Sequence, residues 1–594
     1  MIRLKEFYLE PDVLVGDTFK PVKFKPGINL IIGDKSSDDY EESQQKKMNS
    51  VGKSLFIEFI NFCLLKDYSR SRIGRIPTSV LAGDTYACLE LEYETPTQLN
   101  NILIKRSVGG KLPLHIFVDG DGAEFEEKDL DRAKEYLSHF FLANEVVTKP
   151  TLRRLLSILI RSEKAGYDDI LKPDPSSSAN GSEELIAPHA YMFGFDLDKI
   201  KLLADVKEQV DNIQAIIRDA KNRIKLSGQK WQDVRSYIHE LEDEVKKLDY
   251  SVQQLRPAEG ASQLLSEIGE LNKRLETLIT EKTSREVLAR KIKGLAQTAE
   301  DVNITELKRV YEKYRQGLGE LVGKTFEQTL DFRKQIDEFQ NELMSGKLAA
   351  LNQEIEALHK EIDVVDTQIA KAYETIGYGK TVSDFRVSLQ QQQESNQKLE
   401  RLRSDYELIE EKEKEKKTLM ARRQELINEV DARLFEISAN IDAFEKSLVD
   451  LHGYIYGNRK CHFRISLNEK AKKQVLQFDY RTDLDGGASS DRIKTFMYDV
   501  RLMLDTYTSR RHPGFLIHDN VFAAVGRNDM VKALNYLYTI EQKQDNFQYI
   551  VAINRDEFEA HEQELDFKAA DKVMLELTRE NPLLGTQYTE LIPD

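Results

Sequence analysis

LADVKEQVDNIQAIIRDAKNRI, residues 203–224, carries apolar side chains at Leu203, Val206, Val210, Ile213, Ile217, Ala220 and Ile224, in alternating steps of three and four. That spacing lines all seven along one helix face, the seam of a coiled coil. The beat returns at Leu351, Ile355, Leu358, Ile362, Val365, Ile369 and Ala372. It returns again at Ile427, Val430, Leu434, Ile437, Ile441, Phe444 and Leu448. Glu, Lys, Gln and Arg fill most intervening positions, which favours a coil over a set of ordinary bundle helices.

The middle of this stretch reads as a reversal. Gly317-Leu318-Gly319 and Gly323 interrupt the helical pattern near its centre, and a turn there sets 203–224 antiparallel to 427–448. Arg256-Pro257-Ala258-Glu259-Gly260 breaks the outgoing arm and Gly377-Tyr378-Gly379 the returning one. Pro and Gly stop helices, so the two breaks face each other as an elbow. A continuous helical arm of this length reaches on the order of 150–170 Å at about 1.5 Å per residue. An arm that leaves and returns to one place requires the two chain ends to build one globular body.

The 594 residues allow several domains. A charged fraction of 32% and a mean hydropathy of −0.52 suit a coil-rich protein. The net charge of −16 argues against a generally basic nucleic-acid binder, although a local basic groove remains compatible with it. Cys63, Cys88 and Cys461 are far apart, form no metal-spaced pair and suit a reducing compartment. No apolar run of membrane-spanning length and no signal peptide is read. The expectation is a soluble, cytoplasmic protein without membrane association.

Residues 2–10 and 21–32 read as strands. Gly27-Ile28-Asn29-Leu30-Ile31-Ile32-Gly33 is a short apolar run ending in glycine, as a buried strand entering a phosphate loop does. A polar insert from Asp34 to Met48 follows, then Asn49-Ser50-Val51-Gly52-Lys53-Ser54 and a helical run from Leu55. Gly-Lys-Ser before a helix is the second half of a P-loop. Amides at the helix start hold phosphate oxygens, the lysine reaches the β/γ phosphates, and the serine hydroxyl takes Mg²⁺. The strict spacing fails, because Gly33 lies nineteen positions before Gly52. The loop reads as a P-loop with a long insert; the bland alternative is a surface turn. Residues 86–94, 102–107 and 113–119 read as strands, and 151–163 as a helix. Arg70, Arg72 and Arg75 lie among small polar residues, either as a DNA phosphate-contacting patch or as a solvated loop.

Beyond the coil, 452–465 and 474–482 read as strands. Asp485-Gly486-Gly487-Ala488-Ser489-Ser490-Asp491 opens a helix from about Arg492, a ready anion site. Gly514-Phe515-Leu516-Ile517-His518-Asp519 is an apolar strand ending in an acid suited to Mg²⁺. Gln548-Tyr549-Ile550-Val551-Ala552-Ile553-Asn554 is a strand ending in a polar residue at a crevice.

The order of these signals resembles the SMC-like ABC ATPases, which include the structural-maintenance-of-chromosomes proteins and the DNA-repair ATPase partner of the Mre-type nuclease. The split loop from Gly33 to Lys53, Arg161 to Tyr167, Met192-Phe193-Gly194-Phe195-Asp196, Phe515 to Asn520, and Tyr549 to Asp556 are similar to the ATPases of prokaryotic ABC three-component systems, such as the Lamassu anti-phage systems. The resemblance implies an α/β ABC-type ATPase head assembled from both chain ends, with a long intervening antiparallel coiled coil. The divisions are then 1–197 and 452–594 for the two head halves, 198–316 and 326–451 for the arms, and 317–325 for the apex.

The same resemblance implies roles. Lys53 and Ser54 would hold ATP and Mg²⁺, with Gly33, Asn49 and Gly52 shaping the loop. Gly486, Gly487 and Ser489 would be a signature stretch contacting nucleotide on a second head, giving an ATP-dependent homodimer. Asp519 would be the Walker B acid, and Asn554 would replace the switch histidine. Most relatives carry glutamate directly after that acid, where this chain has Asn520. An amide orients water but takes no proton. Either hydrolysis is slow and ATP acts as a clamp, or another carboxylate such as Glu163 serves as base. His518 reads as a packed strand residue.

The leading expectation is an ATPase subunit that senses double-stranded DNA and controls a separate effector, a nuclease or other, with a small accessory subunit. The competing readings are a DNA-repair or chromosome-organising ATPase and a purely structural scaffold. No Cys-x-x-Cys hook stands near Gly319, which counts against the zinc-hook repair ATPase.

Overall fold

Two strands more than 500 positions apart lie side by side. Gly27–Gly33 pairs in parallel with Gln548–Asn554, Gly27 opposite Gln548 and Gly33 opposite Asn554. In this computed structural model the described residues are 1–14, 17–34, 51–95, 98–142, 148–162, 167, 169–171, 183–254, 262–297, 345–372, 379–470, 474–483, 486–523 and 525–591. The two strands belong to a five-stranded sheet in the order Ile160–Arg161, Phe515–Asp519, Gln548–Asn554, Gly27–Gly33, Val573–Leu577. All its pairings are parallel. Every residue of the three middle strands is buried. A parallel sheet covered on both faces demands such unbroken apolar runs. Asn29, the polar exception in its run, turns its amide to Lys25 and Gly27 carbonyls.

A six-stranded antiparallel sheet runs Val22–Lys23, Ile2–Glu10, Tyr86–Glu94, Leu99–Ser107, Leu114–Val118, Asp121–Phe125. Its register shifts between Leu4 and Glu6, so Ile2, Leu4, Phe7 and Leu9 all face the core despite the change in spacing. The Lys53–Cys63 helix packs against this face, with Phe56 and Phe59 at 5.4 and 5.5 Å from Phe7.

Several elements differ from the sequence expectation. The strand expected over 21–32 is two, Val22–Lys23 and Gly27–Gly33. The helix expected over 151–163 spans Leu152–Leu159, and Ile160–Arg161 turns into the edge strand beside Ile517 and His518. The segment expected as strand from 452 is helical through Tyr456, with the strand only at Cys461–Leu467. The seam through Ile441, Phe444 and Leu448 continues to Leu451 and Ile455, both fully buried. Gly457, at φ 75°, closes that helix in the left-handed conformation glycine adopts freely.

The chain divides into two compact units, Met1–Ile216 with Lys412–Asp594, and Ile217–Glu411. The first takes in helix on both sides of the expected head edges at 197 and 452. The second contains the helices Val234–Gln254, Ser262–Gln297 and 345–372. Its cross-arm pairs descend on one side as they ascend on the other: Glu244 with Ser395, Asp249 with Gln392, Arg285 with Glu354. The arms are therefore antiparallel. Ile268, Leu275 and Leu278 pack with Ile362, Val365 and Ile369 as the seam. Exposed ion pairs contribute about 1 kcal/mol or less each, so this apolar seam carries the pairing. The apex at 317–325 and the elbow segments 256–260 and 377–378 lie outside the described residues.

Candidate nucleotide site and its surroundings

The C-terminal ends of the central strands share one edge, where open α/β sheets bind ligands. Gly33 ends its strand there, and Lys53 starts the next helix. The Lys53 ammonium donates to the carbonyl oxygens of Gly33 and Asp34 at 2.8 and 3.0 Å, and the residue is 6% exposed. Gly33 has no room for a Cβ, which would meet Lys53 Cγ at 2.8 Å and Val51 Cγ2 at 2.9 Å. Gly52 sits at φ 109°, and a Cβ there would meet Leu583 Cβ at 2.5 Å. The two glycines thus form a cradle that side chains would fill. Ser54 follows at the second helical position, half-buried. Asn49 and the rest of the 35–50 insert lie outside the described residues.

Asp519 and Asn520 are buried at the end of the strand two places over. Tyr167 Oη donates to the Asp519 carbonyl at 2.8 Å. Asn520 has φ 59°, a left-handed conformation that Asn tolerates better than most residues. Its N–H donates to Ala552 O at 3.1 Å, and its carbonyl accepts from Arg492 Nη1 at 2.7 Å. Asn554 stands between, buried, in register with Gly33. The next residue, Arg555, joins Asp34 at 2.8 Å and Glu576 at 2.7 Å. Glu163, the alternative base, lies outside the described residues.

Arg492 belongs to the Ala488–Leu504 helix, which begins earlier than the expected Arg492. Gly486 and Gly487 are exposed ahead of it, Gly486 at φ 97°. Ser489 is half-buried in the first turn, and the neighbouring Ser490 hydroxyl donates to Gly487 O at 2.7 Å. This stretch faces solvent.

Behind Asp519 lies a buried polar network that sequence reasoning missed. The Arg161 guanidinium binds both carboxylate oxygens of Asp499 across 338 positions. His518 Nε2 lies 3.2 Å from the same carboxylate and its Nδ1 3.1 Å from Tyr549 Oη. Burial alone would raise the Asp499 carboxyl, but Arg161 and His518 outweigh it and hold it below the ordinary range. Burial lowers His518 in spite of Asp499, and lowers His189 and His512 to about 3. His518 is thus a packed, neutral strand residue.

The expected DNA-contacting arginines follow the Lys53–Cys63 helix. Arg70 is exposed. Arg72 Nε donates to Glu590 at 2.7 Å, and Arg75 lies 4.0 Å from the same carboxylate.

Gly33, Gly52, Lys53, Ser54, Asp519, Asn520 and Asn554 therefore collect at one sheet edge. The edge offers helix-start amides and an ammonium for anionic oxygens, and a carboxylate and hydroxyl suited to a hard divalent cation. Among the described residues no cluster of His, Cys, Asp or Glu is arranged to hold a metal by itself, and no helix is long and apolar enough to cross a membrane.

Residues 451–588 match a family model described as an uncharacterised protein conserved in bacteria (DUF2326). The uncharacterized protein YydD of Bacillus subtilis (strain 168) is 21% identical over 601 residues, 95% of this chain and 96% of that one. Two solved structures align along most of the chain. The Smc head domain with a coiled coil and joint from Pyrococcus yayanosii is 15% identical with a TM-score of 0.34, covering 95% of this chain and 94% of that one. The Smc head with an extended coiled coil from Pyrococcus furiosus, bound to the C-terminal domain of ScpA, is 11% identical with a TM-score of 0.34, covering 94% and 92%. The fold assignment rests on the sheet and arms described above.

Proposed function

We propose that this chain is an SMC-like ATP-binding subunit whose heads dimerise around ATP, and which binds double-stranded DNA and controls a separate effector in anti-phage defence. The observation that carries the nucleotide part is the glycine cradle of Gly33 and Gly52 with Lys53 folded onto the loop carbonyls. A lysine in that position exchanges two carbonyl oxygens for phosphate oxygens without leaving the loop. Mg²⁺-bound ATP supplies the phosphate chain and the cation that its negative oxygens need. Lys53 holds phosphate oxygens, Ser54 and Asp519 hold the cation, and Asn554 orients water near the loop. Gly486 and Gly487, exposed ahead of a helix, and the half-buried Ser489 in its first turn present amides to nucleotide on a second head.

Asn520 sets the rate. Its backbone is fixed by Ala552 and Arg492, so its amide can orient water but cannot accept the proton. ATP then works as a clamp that is reset slowly. Arg70, Arg72 and Arg75 supply the DNA contact, and a small accessory subunit and an effector complete the assembly in the cytoplasm.

The test is sedimentation of the full chain with and without Mg²⁺-ATP, beside Lys53→Ala. A nucleotide-dependent shift from monomer to dimer, lost in the variant, is the expected result. Dimers that form equally with and without ATP would remove the sandwich, and an ATP-dependent shift kept by Lys53→Ala would remove Lys53 from the site.

A further inference from the structure

One carboxylate occupies the surface assigned above to DNA. Beyond the Val573–Leu577 strand the chain passes over the phosphate loop, where the Leu583 N–H donates to Val51 O at 2.9 Å and its side chain covers Gly52. Leu583, Leu584 and Tyr588 are buried and anchor this segment. A few residues on, Glu590 binds Arg72 Nε at 2.7 Å and Nη2 at 2.5 Å and faces Arg75. The Leu591 N–H then donates to Arg75 O at 2.8 Å. The arginine turns are tied to the loop by a second route. Glu58, on the helix that Lys53 starts, accepts from Ser71 Oγ and Arg72 N at 3.0 Å each, and from Lys66 at 2.9 Å.

We infer that residues 578–591 form a strap in which Glu590 acts as an internal anion on the Arg72–Arg75 surface, that a DNA backbone phosphate displaces this carboxylate, and that the displacement is felt at the phosphate loop through Leu583. The inference rests on the DNA-binding reading above. Its chemistry is an exchange of one anion for another on the same guanidinium. One Glu590 oxygen meets both Nε and Nη2 of Arg72 while the other faces Arg75, and a phosphate offers oxygens to the same two guanidiniums. Leu583, Leu584 and Tyr588 seat the strap on the globular unit, and Glu590 pairs near its end at the surface, so lifting Glu590 pulls on that anchored segment. Leu583 and Glu590 are seven positions apart on one segment, with Leu584 and Tyr588 buried between them, and the coupling runs along this packed stretch. By linkage, DNA and ATP then alter each other's affinity by one common factor.

The full chain is titrated with linear double-stranded DNA, read by anisotropy at two salt concentrations, and with ATP by calorimetry, with and without saturating DNA. Glu590→Gln keeps the side-chain shape and removes the charge; Arg72→Gln removes the receptor. Glu590→Gln should bind DNA about two- to fivefold tighter, the range of an exposed ion pair. Without DNA, its ATP affinity should move toward that of the DNA-saturated wild type. Arg72→Gln should weaken DNA binding and flatten its salt dependence. If Arg72→Gln weakens binding while Glu590→Gln matches wild type, the strap falls and the DNA reading stands. Tighter DNA binding with unmoved ATP affinity overturns the coupling. No DNA binding by any form overturns the DNA reading and this inference with it.

Discussion

Lowering the pH from about 7.5 to about 5 should destabilise the globular unit by roughly 4 kcal/mol or more, through histidines that the fold keeps neutral. His189 and His512 are buried, and burial depresses both to about 3. The unfolded chain titrates them near 6.5. Between those values the unfolded state holds a proton that the folded state refuses, so stability falls as pH falls. The full stability is present above about 6.5, and the loss grows by about 1.4 kcal/mol per pH unit for each histidine. At about pH 5 that is roughly 2 kcal/mol apiece. His518 is lowered too and adds in the same direction. Asp499, held low by Arg161 and His518, loses its contribution only below the ordinary carboxylate range. Urea unfolding read by pulsed hydrogen exchange in the Phe515–Asp519 and Gln548–Asn554 strands follows this unit alone. His189→Gln should reduce the slope of stability against pH by about one proton, whatever it does to the absolute level. A midpoint that stays flat between the two pH values would refute the argument.

Two substitutions probe the ground behind and beside the Asp519 edge. Arg161→Leu leaves the buried Asp499 carboxylate without its guanidinium and should cost about 3–5 kcal/mol by urea denaturation; adding Asp499→Leu should recover part of that loss. Asn520→Glu should raise phosphate release by two orders of magnitude or so if a missing base limits turnover. Its left-handed backbone suits Asn better, so the same change should cost about 1 kcal/mol of stability.

Much of the core was legible because burial on both faces writes itself into one run of residues. Phe515–Asp519 and Gln548–Asn554 are buried throughout around the apolar runs Phe515–Ile517 and Tyr549–Ile553, and their C-terminal ends could be placed to the residue. The arm seam was legible for a similar local reason, since one helix face repeats every few residues. The helix through Leu451 and Ile455 was missed because the beat was followed only to Leu448, and the turn that ends it depends on Gly457 alone. The Arg161–Asp499 pair could not be read at all. Each residue is an ordinary charge in its own neighbourhood, and only the parallel pairing of Ile160–Arg161 with Ile517 and His518 brings them together. Glu590 on Arg72 is the same case on the surface: nothing near position 590 announces a partner 518 positions away.

Separation along the chain is a weaker obstacle to folding than it looks, and that makes the arms dispensable for the globular unit. The loop between Gly33 and Gln548 spans roughly 500 residues, but closure entropy grows only as the logarithm of length. Removing 227–401 would shorten it to roughly 340 and change that cost by about 0.4 kcal/mol, within experimental error. The cut is feasible because Arg223 and Asp405 are hydrogen-bonded, so Leu226 and Leu402 can be bridged by about six Gly and Ser residues spanning on the order of 13 Å. The sheet itself buries Ile28, Leu30, Ile31, Ile550 and Ile553 without help from the excised segment. Hydrogen-exchange protection of Gly27–Gly33 and Gln548–Asn554 should therefore match the full chain. Loss of that protection would mean that the arms hold the two chain ends together. Retained protection assigns arms of this length to the work of the protein and not to its stability.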